Sequence, residues 1–200
     1  IFAVTLDTNG RVIGSGATID QNAYDYSICR LETDGSLDTS FMTVGYQYFD
    51  LGADSIGRGV IVGTNGSITT SVEFSSSMIA GRFFTDGSLD TSFNTDGAVG
   101  VTSGAGEKSS GVYIDATDRT WILGKYDDGL AAGVLLPDGT IDTSFQTDGI
   151  LHVDVDDGPE MRNMVLTPSG KYFINGRASN GYGDTMLLMR IFTSGALDTA

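Results

Sequence analysis

The sequence predicts an all-β protein built from repeated units, and three observations support this prediction. Glycine supplies 28 of the 200 residues and proline only three, a composition that disfavours long helices and favours many tight turns. An eight-residue motif returns along the chain at nearly even spacing. Between its copies lie short runs of β-branched and aromatic residues bounded by turn residues, as expected of strands.

The repeated motif, Asp-Gly-Ser-Leu-Asp-Thr-Ser-Phe, occupies residues 34–41 and returns unchanged at 86–93. A third copy at 138–145 has Thr and Ile in place of the first Ser and the Leu, and an altered copy occupies 194–200. The glycines at positions 35, 87, 139 and 195 are 52, 52 and 56 residues apart. We therefore predict four repeats, approximately 1–50, 51–102, 103–154 and 155–200.

A second turn signal recurs between these copies. It reads Asn-Gly at 9–10 and at 65–66, and Thr117-Asp118 and Ser169-Gly170 occupy the corresponding places. Asn-Gly between alternating runs is typical of a two-residue hairpin turn in which both central residues have positive φ. We expect such a hairpin between the first two strands of each repeat.

Each repeat has room for four short strands, and no helix is predicted. In the third repeat the strands are residues 112–114, 120–123, 132–136 and 150–153. Four antiparallel strands per repeat are typical of a β-propeller blade, and a β-solenoid, whose coils are usually shorter, is the alternative. The fourth repeat ends before its fourth strand, so we predict that residues 1–200 form a single β-propeller segment of a longer array.

The motif and the strand before it resemble a known repeat. An apolar strand with Arg and a further apolar residue precedes the motif, as Arg30-Leu31 before the first copy and Arg82-Phe83 before the second. This pattern is similar to the delta-sixty tandem repeat of bacterial surface and secreted proteins, and the resemblance covers essentially the whole chain. It implies β-propeller blades in long arrays and no established activity, so it transfers no site residue. Val134 replaces the Arg in repeat three, and Ser194 replaces the Asp in repeat four.

A structural role is the expectation for the motif. Asp-Gly makes a turn, Leu or Ile returns to the core, Asp-Thr-Ser caps backbone amides, and Phe anchors the entry to the fourth strand. The alternative is a cation or sugar subsite in each repeat, because each copy presents two carboxylates four residues apart. The predicted turn residues are Asp34, Gly35, Asp86, Gly87, Asp138 and Gly139.

Length variation between repeats is confined to the connection between the second and third strands, which is long in repeats one and four. Loops that vary on a rigid scaffold often carry binding. Tyrosines in the two long loops offer stacking surfaces for carbohydrate. The predicted ligand-binding residues are Asp20, Asn22, Tyr24, Asp25, Asn180, Tyr182 and Asp184.

The densest acidic stretch, residues 154–160, is a candidate calcium site because hard cations take several carboxylate oxygens. It lacks a full twelve-residue calcium loop with its closing Glu, so a solvated acidic loop is the favoured interpretation. The candidate metal ligands are Asp154, Asp156, Asp157 and Glu160. No other cofactor is predicted.

Composition argues against several classes of function. With 26 acidic and 11 basic residues the net charge is −15, which would repel a phosphate backbone, so no nucleic-acid partner is expected. No stretch approaches the ~20 apolar residues of a membrane span, so membrane insertion is not expected either. The single histidine, His152, excludes a multi-histidine metal site, and the single cysteine, Cys29, excludes an intrachain disulfide.

Propeller enzymes are the remaining comparison. The motif superficially resembles the Ser-x-Asp-x-Gly turn of sialidases, which need an arginine cluster for the substrate carboxylate. The arginines here are expected at one repeated strand position per blade, which a structural role explains better than a single active site. Glycoside hydrolysis by paired carboxylates is kept as a minor alternative, although no pair stands out.

We therefore expect a non-catalytic interaction module, extracellular or displayed on a cell surface or virion, that binds glycan or protein through the loops between strands two and three. An adhesin or a fibre is the kind of protein in which it would occur. The alternative is a structural subunit of a virion or of a multi-chain extracellular assembly. Other blades of the same chain, or a neighbouring subunit, are the expected partners at the ends of the array.

Overall fold

The computed structural model describes residues 1–20, 23–101, 106–126, 129–154, 160–179 and 183–199. For Asp20, Glu160, Ser179 and Asp184 it describes the backbone alone. Fifteen strands and a single-turn 3₁₀ helix, Phe41–Thr43, lie within these ranges. Among the residues that the structure describes, no helix has the length and apolar character needed to cross a membrane.

The strands form four antiparallel sheets, each made of strands consecutive in sequence. We call these sheets blades 1 to 4. Blade 1 contains β1 (Ala3–Leu6), β2 (Val12–Asp20), β3 (Ala23–Leu31) and β4 (Tyr46–Phe49), and blade 2 contains β5 (Ser55–Val62), β6 (Ile68–Phe74), β7 (Ser77–Phe83) and β8 (Ala98–Val101). Blade 3 contains β9 (Lys108–Ile114), β10 (Thr120–Tyr126), β11 (Gly129–Leu135) and β12 (Ile150–Asp154), and blade 4 contains β13 (Glu160–Leu166), β14 (Tyr172–Ser179) and β15 (Asp184–Ile191).

The hydrophobic core is divided into three clusters, and each cluster lies between two consecutive blades. Ile13 and Ile28 of blade 1 pack with Ile68 and Phe83 of blade 2. The second cluster joins blades 2 and 3, and the third joins blades 3 and 4 around Trp121. Blades therefore stabilise one another by apolar burial across their faces, as expected of a β-propeller. The predicted fold is confirmed, including a fourth blade with three strands.

The predicted turn between the first two strands is wrong in type. In blade 1 the Gly10 amide donates to the Asp7 carbonyl at 3.0 Å and the Asp7 amide to the Arg11 carbonyl at 2.9 Å. Gly10 has positive φ whereas Asn9 does not. This is the three-residue hairpin loop, in which only the last residue must be left-handed. Both central residues have positive φ instead at Ser75 and Ser76, the tight turn between β6 and β7.

Two smaller expectations also differ from the structure. The motif leucines do not return to the core, since Leu37 and Leu89 are 42% and 40% exposed. They cover the glycines that precede the fourth strands, where a Cβ on Gly45 would lie 2.4 Å from Leu37 Cγ. The motif phenylalanines, Phe41, Phe93 and Phe145, are the buried anchors instead. The 3₁₀ turn at Phe41 was not predicted because three residues are too few to show a helical period.

Candidate functional site

Ten of the 11 cationic side chains of this acidic protein fall into two groups at opposite ends of the blades. We call the end that carries the eight-residue motif the turn face, and the end where the second and third strands connect the loop face. Arg11, Arg30, Arg82, Arg119, Lys171 and Arg190 pair with aspartates at the turn face. Arg58, Lys108, Lys125 and Arg162 line a cavity at the loop face.

At the turn face, the second Asp of every motif copy accepts an ion pair. Arg30 Nε lies 2.7 Å from Asp38, and Arg82 Nε lies 2.7 Å from Asp90. In blade 3, where Val134 replaces this Arg, Arg119 reaches Asp142 from the first hairpin at 3.1 Å. In blade 4, Lys171 and Arg190 both contact Asp198, at 2.5 and 2.8 Å. Each carboxylate thus keeps a cationic partner although the position that supplies it changes.

The other oxygen of these aspartates caps the motif itself. Asp38 Oδ1 accepts the Ser40 amide at 2.9 Å and the Ser40 hydroxyl at 2.6 Å. This bond to Ser40, with the further bonds and charge of Arg30, holds the pKa of Asp38 far below its ordinary value despite burial. Asp34 caps Ser36 in the same way. These bonds support the structural interpretation of the motif rather than a cation or sugar subsite in each blade.

The same motif joins consecutive blades. Arg30 donates to the Thr85 carbonyl of blade 2, and Arg82 donates to the Pro137 carbonyl of blade 3. The Asn94 amide donates to the Asp138 carbonyl at 2.7 Å, so the motif of blade 2 also bonds through its backbone to the next turn. The turn face is therefore a seam of polar contacts that fixes the angle between blades.

Asp115 is the most connected carboxylate of this seam. Its Oδ2 accepts from Trp121 Nε1 at 3.0 Å, from the Tyr172 hydroxyl of blade 4 at 2.9 Å and from Arg119 Nε at 2.9 Å. Burial raises the pKa of Asp115, but the hydrogen bonds from Thr117, Trp121 and Tyr172 outweigh it and lower the pKa overall. Burial and the bond to Asp115 raise the pKa of Tyr172 to about 12.

Acid is expected to destabilise the fold through these aspartates. In the folded state, eight of the carboxyls that the structure describes have a pKa below the ordinary value of 3.8, so the unfolded chain takes up protons first as the pH falls. The free energy of unfolding should stay level down to about pH 5 and decline below about pH 4. The eight residues are Asp7, Asp34, Asp38, Asp86, Asp90, Asp115, Asp138 and Asp142.

Urea unfolding followed by the fluorescence of Trp121 would measure this dependence. Acidification also relieves the repulsion of a chain of charge −15, which acts in the opposite direction. High salt screens that diffuse repulsion more than the buried pairs, so the decline should be clearest in high salt. An unfolding free energy that is unchanged or larger at the acid end would contradict the prediction.

At the loop face, a cavity of about 660 Å³ is lined mainly by residues in or next to the first strands of all four blades. We call it the axial cavity. Its lining includes Phe2 before β1, Arg58 in β5, Ser110 in β9 and Arg162 in β13. These four are 56, 52 and 52 residues apart, so they occupy the same place in each repeat.

In three of the blades, the residue at this position is the extra residue of a β-bulge. The strand register shifts between Gly57 and Gly59, which leaves Arg58 as the extra residue, and a like shift between Met161 and Asn163 leaves Arg162 extra. In blade 3, Gly111 pairs with Leu123 and Ser109 with Gly124, which leaves Ser110 extra. A bulge adds one residue to a strand and re-aims its side chain. In these three blades, the β-bulge thus directs one side chain per blade toward the axis.

The axial cavity has a strong local charge. Among the described residues, its lining holds four cations and one carboxylate, Glu73. Arg58 pairs with Glu73 at 2.8 Å and also lies over the ring of Phe2, 5.1 Å from its centroid. Lys108 lies 3.4 Å from the other oxygen of Glu73. The expectation that arginines occur only at one repeated strand position is therefore wrong, because Arg58 and Arg162 lie at a second such position.

The predicted ligand-binding residues that the structure describes belong to the same face. Tyr24 is 40% exposed near the end of the β2–β3 hairpin, and its amide donates to Asp54 Oδ1 at 2.9 Å. Asp25 is buried at 6% exposure, so its carboxylate is turned away from solvent. Asp20 ends β2 and Asp184 begins β15, with side chains outside the described part. Asn22, Asn180 and Tyr182 lie outside the described residues.

The candidate calcium ligands are only partly described. Asp154 ends β12 and accepts a hydrogen bond from the Tyr126 hydroxyl at 2.5 Å. Asp156 and Asp157 lie outside the described residues, and of Glu160 only the backbone at the start of β13 is described. In the described part of the chain, no three His, Cys, Asp or Glu side chains form a group that could hold a metal ion. Calcium binding stays a prediction.

Comparisons with known proteins agree on the fold. A family model described as "Domain of unknown function (DUF5122) beta-propeller" matches residues 8–41, which include the first motif copy. No curated protein matches the sequence. A solved structure of a protein of unknown function from Bacteroides caccae is similar with a TM-score of 0.55 and 8% identity, over 96% of this chain and 60% of that one. Streptogramin B lyase is similar with a TM-score of 0.52 and 13% identity, over 98% of this chain and 67% of that one.

These identities concern the fold alone. Together with the four repeats, they show that the chain is a repeat protein with a β-propeller fold. The chain spans 60% of the length of the Bacteroides caccae protein. The axial cavity was missed by sequence reasoning, which followed the identical positions of the repeat. The available signal was a position that recurs as Arg58, Ser110 and Arg162, next to glycines at 57, 59 and 111.

Proposed function

We propose that the chain is a non-enzymatic interaction module that binds a glycan at its loop face, in a protein exposed outside the cell. One observation carries this proposal. Positions of the turn face recur from blade to blade, whereas the axial position is Phe2, Arg58, Ser110 and Arg162 in turn. A residue with the same structural role in every blade can be the same amino acid in each. A ligand on the axis, in contrast, contacts a different part of itself with each blade, so the residue that each blade contributes can differ. Side chains that differ between repeats at the axis and in the long loops are typical of recognition on a repeated scaffold.

The carboxylates that are described also favour binding over hydrolysis. Glycoside hydrolysis by the usual route needs two carboxyl groups that face one sugar bond. Among the described residues that line the axial cavity, the only carboxylate is Glu73, and Arg58 and Lys108 contact it. His152 lies on the outer strand β12 and makes an edge-to-face contact with Tyr126, with 4.6 Å between the ring centroids. Streptogramin B lyase shares the fold, but at 13% identity its activity is no guide to this chain.

A glycan is the favoured ligand because exposed aromatic rings border this face. Phe2 lies in the lining of the cavity, and Tyr24 stands at the end of the β2–β3 hairpin. Aromatic rings of this kind give a sugar an apolar surface beside polar partners. A protein ligand is the alternative outcome of the test.

A glycan array probed with the labelled chain would test the proposal. Tyr24→Ala should weaken binding to the retained glycans about threefold to tenfold, since one stacked aromatic contributes about that much. Tyr48→Ala is the matched control, because Tyr48 is a similarly exposed tyrosine on the outer strand β4, at 50% against 40% for Tyr24. If the array retains no chain, or if both variants bind equally weakly, the proposed glycan function is wrong.

Assembly is the second candidate function, and two apolar sheet faces support it. Val4 and Leu6 are exposed on the side of blade 1 that faces away from blade 2, and Met186 and Leu188 are exposed on the side of blade 4 that faces away from blade 3. The equivalents of Val4 and Leu6 in blade 2, Val60 and Val62, pack between blades. We propose that a second copy of the chain covers these faces head to tail.

Sedimentation analysis over a range of concentrations would test assembly. The chain should self-associate, and Leu188→Asp should abolish association because it places a charge in the contact. Leu51→Asp, at an exposed leucine between β4 and β5, is the control and should leave association unchanged. A chain that remains monomeric at every concentration would contradict assembly.

A further inference from the structure

The axial cavity opposes the charge of the rest of the molecule. The chain carries 26 acidic and 11 basic residues. Four of those 11 basic residues line this one cavity, and Glu73 is the one carboxylate among the described residues of its lining. Six others take part in ion pairs at the turn face, which leaves Arg177 as the one outside both groups. In a protein of net charge −15, such a concentration creates a local positive potential that would attract an anion.

The cations converge from three blades rather than following one strand. Arg58 comes from blade 2, Lys108 and Lys125 from blade 3, and Arg162 from blade 4. Arg58 and Arg162 are extra residues of β-bulges, and they are positioned on rigid strands rather than on loops. Glu73 contacts Arg58 and Lys108 on one side of the cavity.

A buried hydroxyl adds a neutral donor to the lining. Ser109 is 3% exposed, lines the cavity, and its Oγ has no hydrogen-bond partner within the described residues. A buried polar atom normally has a partner, because leaving it unpaired costs free energy. A ligand oxygen in the cavity would provide that partner. The ring of Phe2, held beneath Arg58, borders the same space and offers an apolar surface.

We infer that the axial cavity binds the oxyanion of an acidic sugar, a carboxylate or a sulfate group, through Arg162, Lys125 and Ser109, with the sugar ring against Phe2. This inference rests on the proposed glycan-binding function and specifies the chemical class of its ligand. Arginine and lysine donors favour oxyanions, and arginine can bind a planar carboxylate through two parallel bonds. The cavity volume of about 660 Å³ suits one or two sugar units.

Titrations of the ¹⁵N-labelled chain, followed by amide chemical shifts, would test the inference. The probes are glucuronate, glucose 6-sulfate, glucose and inorganic sulfate. Glucuronate or glucose 6-sulfate should shift amides of β5, β9 and β13, and glucose at equal concentration should not. Higher salt should weaken binding because the contact is ionic. Binding of inorganic sulfate as tight as that of both acidic sugars would show that the sugar ring contributes nothing and overturn that part of the inference.

Matched arginine variants show whether binding is in the cavity. Arg162→Gln should weaken glucuronate binding at least about fivefold, the loss expected for one partly exposed ion pair. Arg177→Gln removes another exposed arginine of blade 4 and should leave binding unchanged. Lys125→Gln, from a different blade, should repeat the effect of Arg162→Gln, which guards against a local defect in β13.

The outcomes separate this inference from the proposed function. Binding of uncharged glycans to the array that depends on Tyr24, without binding of any acidic probe, would support the module and overturn the inference. Acidic probes that bind equally to the wild type and to Arg162→Gln and Lys125→Gln would also overturn it. Cavity binding of glucuronate with an array that retains no glycan would support the oxyanion site and contradict the glycan function.

Discussion

Gly139→Ala should destabilise the chain by about 3 kcal/mol, whereas Gly35→Ala should cost only about 1 kcal/mol. Both glycines follow Asp in the same motif and have almost the same φ, +87° and +86°. The cost of placing alanine at positive φ is therefore the same at both. A Cβ on Gly139 would also lie 2.7 Å from the Asn94 backbone nitrogen and 2.8 Å from Phe93 Cδ2, while around Gly35 there is open space.

The difference between the two variants isolates the contact between blades. The Asn94 amide donates to the Asp138 carbonyl at 2.7 Å, so a shift that relieves the Cβ also strains this bond. Phe93 is fully buried and cannot move aside easily. Urea unfolding of both variants under identical conditions would measure the difference. Equal losses of stability would show that the turn of blade 3 does not dock on blade 2 as described.

Asp115→Asn should lower the free energy of unfolding by about 3 to 5 kcal/mol. The two oxygens of Asp115 accept six hydrogen bonds in all, three on Oδ2 from Arg119, Trp121 and Tyr172 and three on Oδ1 from residues 117 and 119. The Asn side chain has one oxygen and one NH₂ group in place of the two carboxylate oxygens. In either orientation, the NH₂ group therefore faces three hydrogen-bond donors and can accept from none of them. The substitution also removes the negative charge that pairs with Arg119. The Asp115 side chain is only 1% exposed, so this pair is buried on the Asp115 side.

Asp118→Asn is the matched control, because Asp118 is an exposed aspartate of the same hairpin. Its φ of +58° is tolerated by Asn, so this variant should change stability by less than about 0.5 kcal/mol. Chemical denaturation followed by Trp121 fluorescence reports on both variants. If Asp115→Asn unfolds at the same denaturant concentration as the control, the carboxylate is not the centre of the seam between blades 3 and 4.

The repeat, the strands and the blade count could be predicted because their signals are local. Alternation of apolar residues, glycine turns and an eight-residue motif act over a few residues and recur along the chain. The motif also indicated its own capping, since Asp34 and Asp38 each bond a serine two residues later. The type of the first hairpin was mispredicted because Asn-Gly fits more than one turn, and the strand register decides among them.

The axial site could not be predicted from the same signals. Phe2, Arg58, Ser110 and Arg162 share a position, but only the two arginines share their chemistry, so a search for residues identical in every repeat passes over this position. Their direction depends on β-bulges, which are a property of strand pairing rather than of composition. The long-loop residues were predicted from length variation alone, and of these Tyr24 is the one whose side chain is described as exposed.

The sequence by itself determined the architecture of this protein: a β-propeller of repeated blades, capped turns at one end and variable loops at the other. Only the tertiary structure decided which residues act together. Gly35 and Gly139 are alike in sequence and in φ, yet only one meets a neighbouring blade. Asp115 and Tyr172 are 57 residues apart and meet across two blades. Local interactions select turns and strands, whereas contacts between blades and at the axis exist only once the blades have packed.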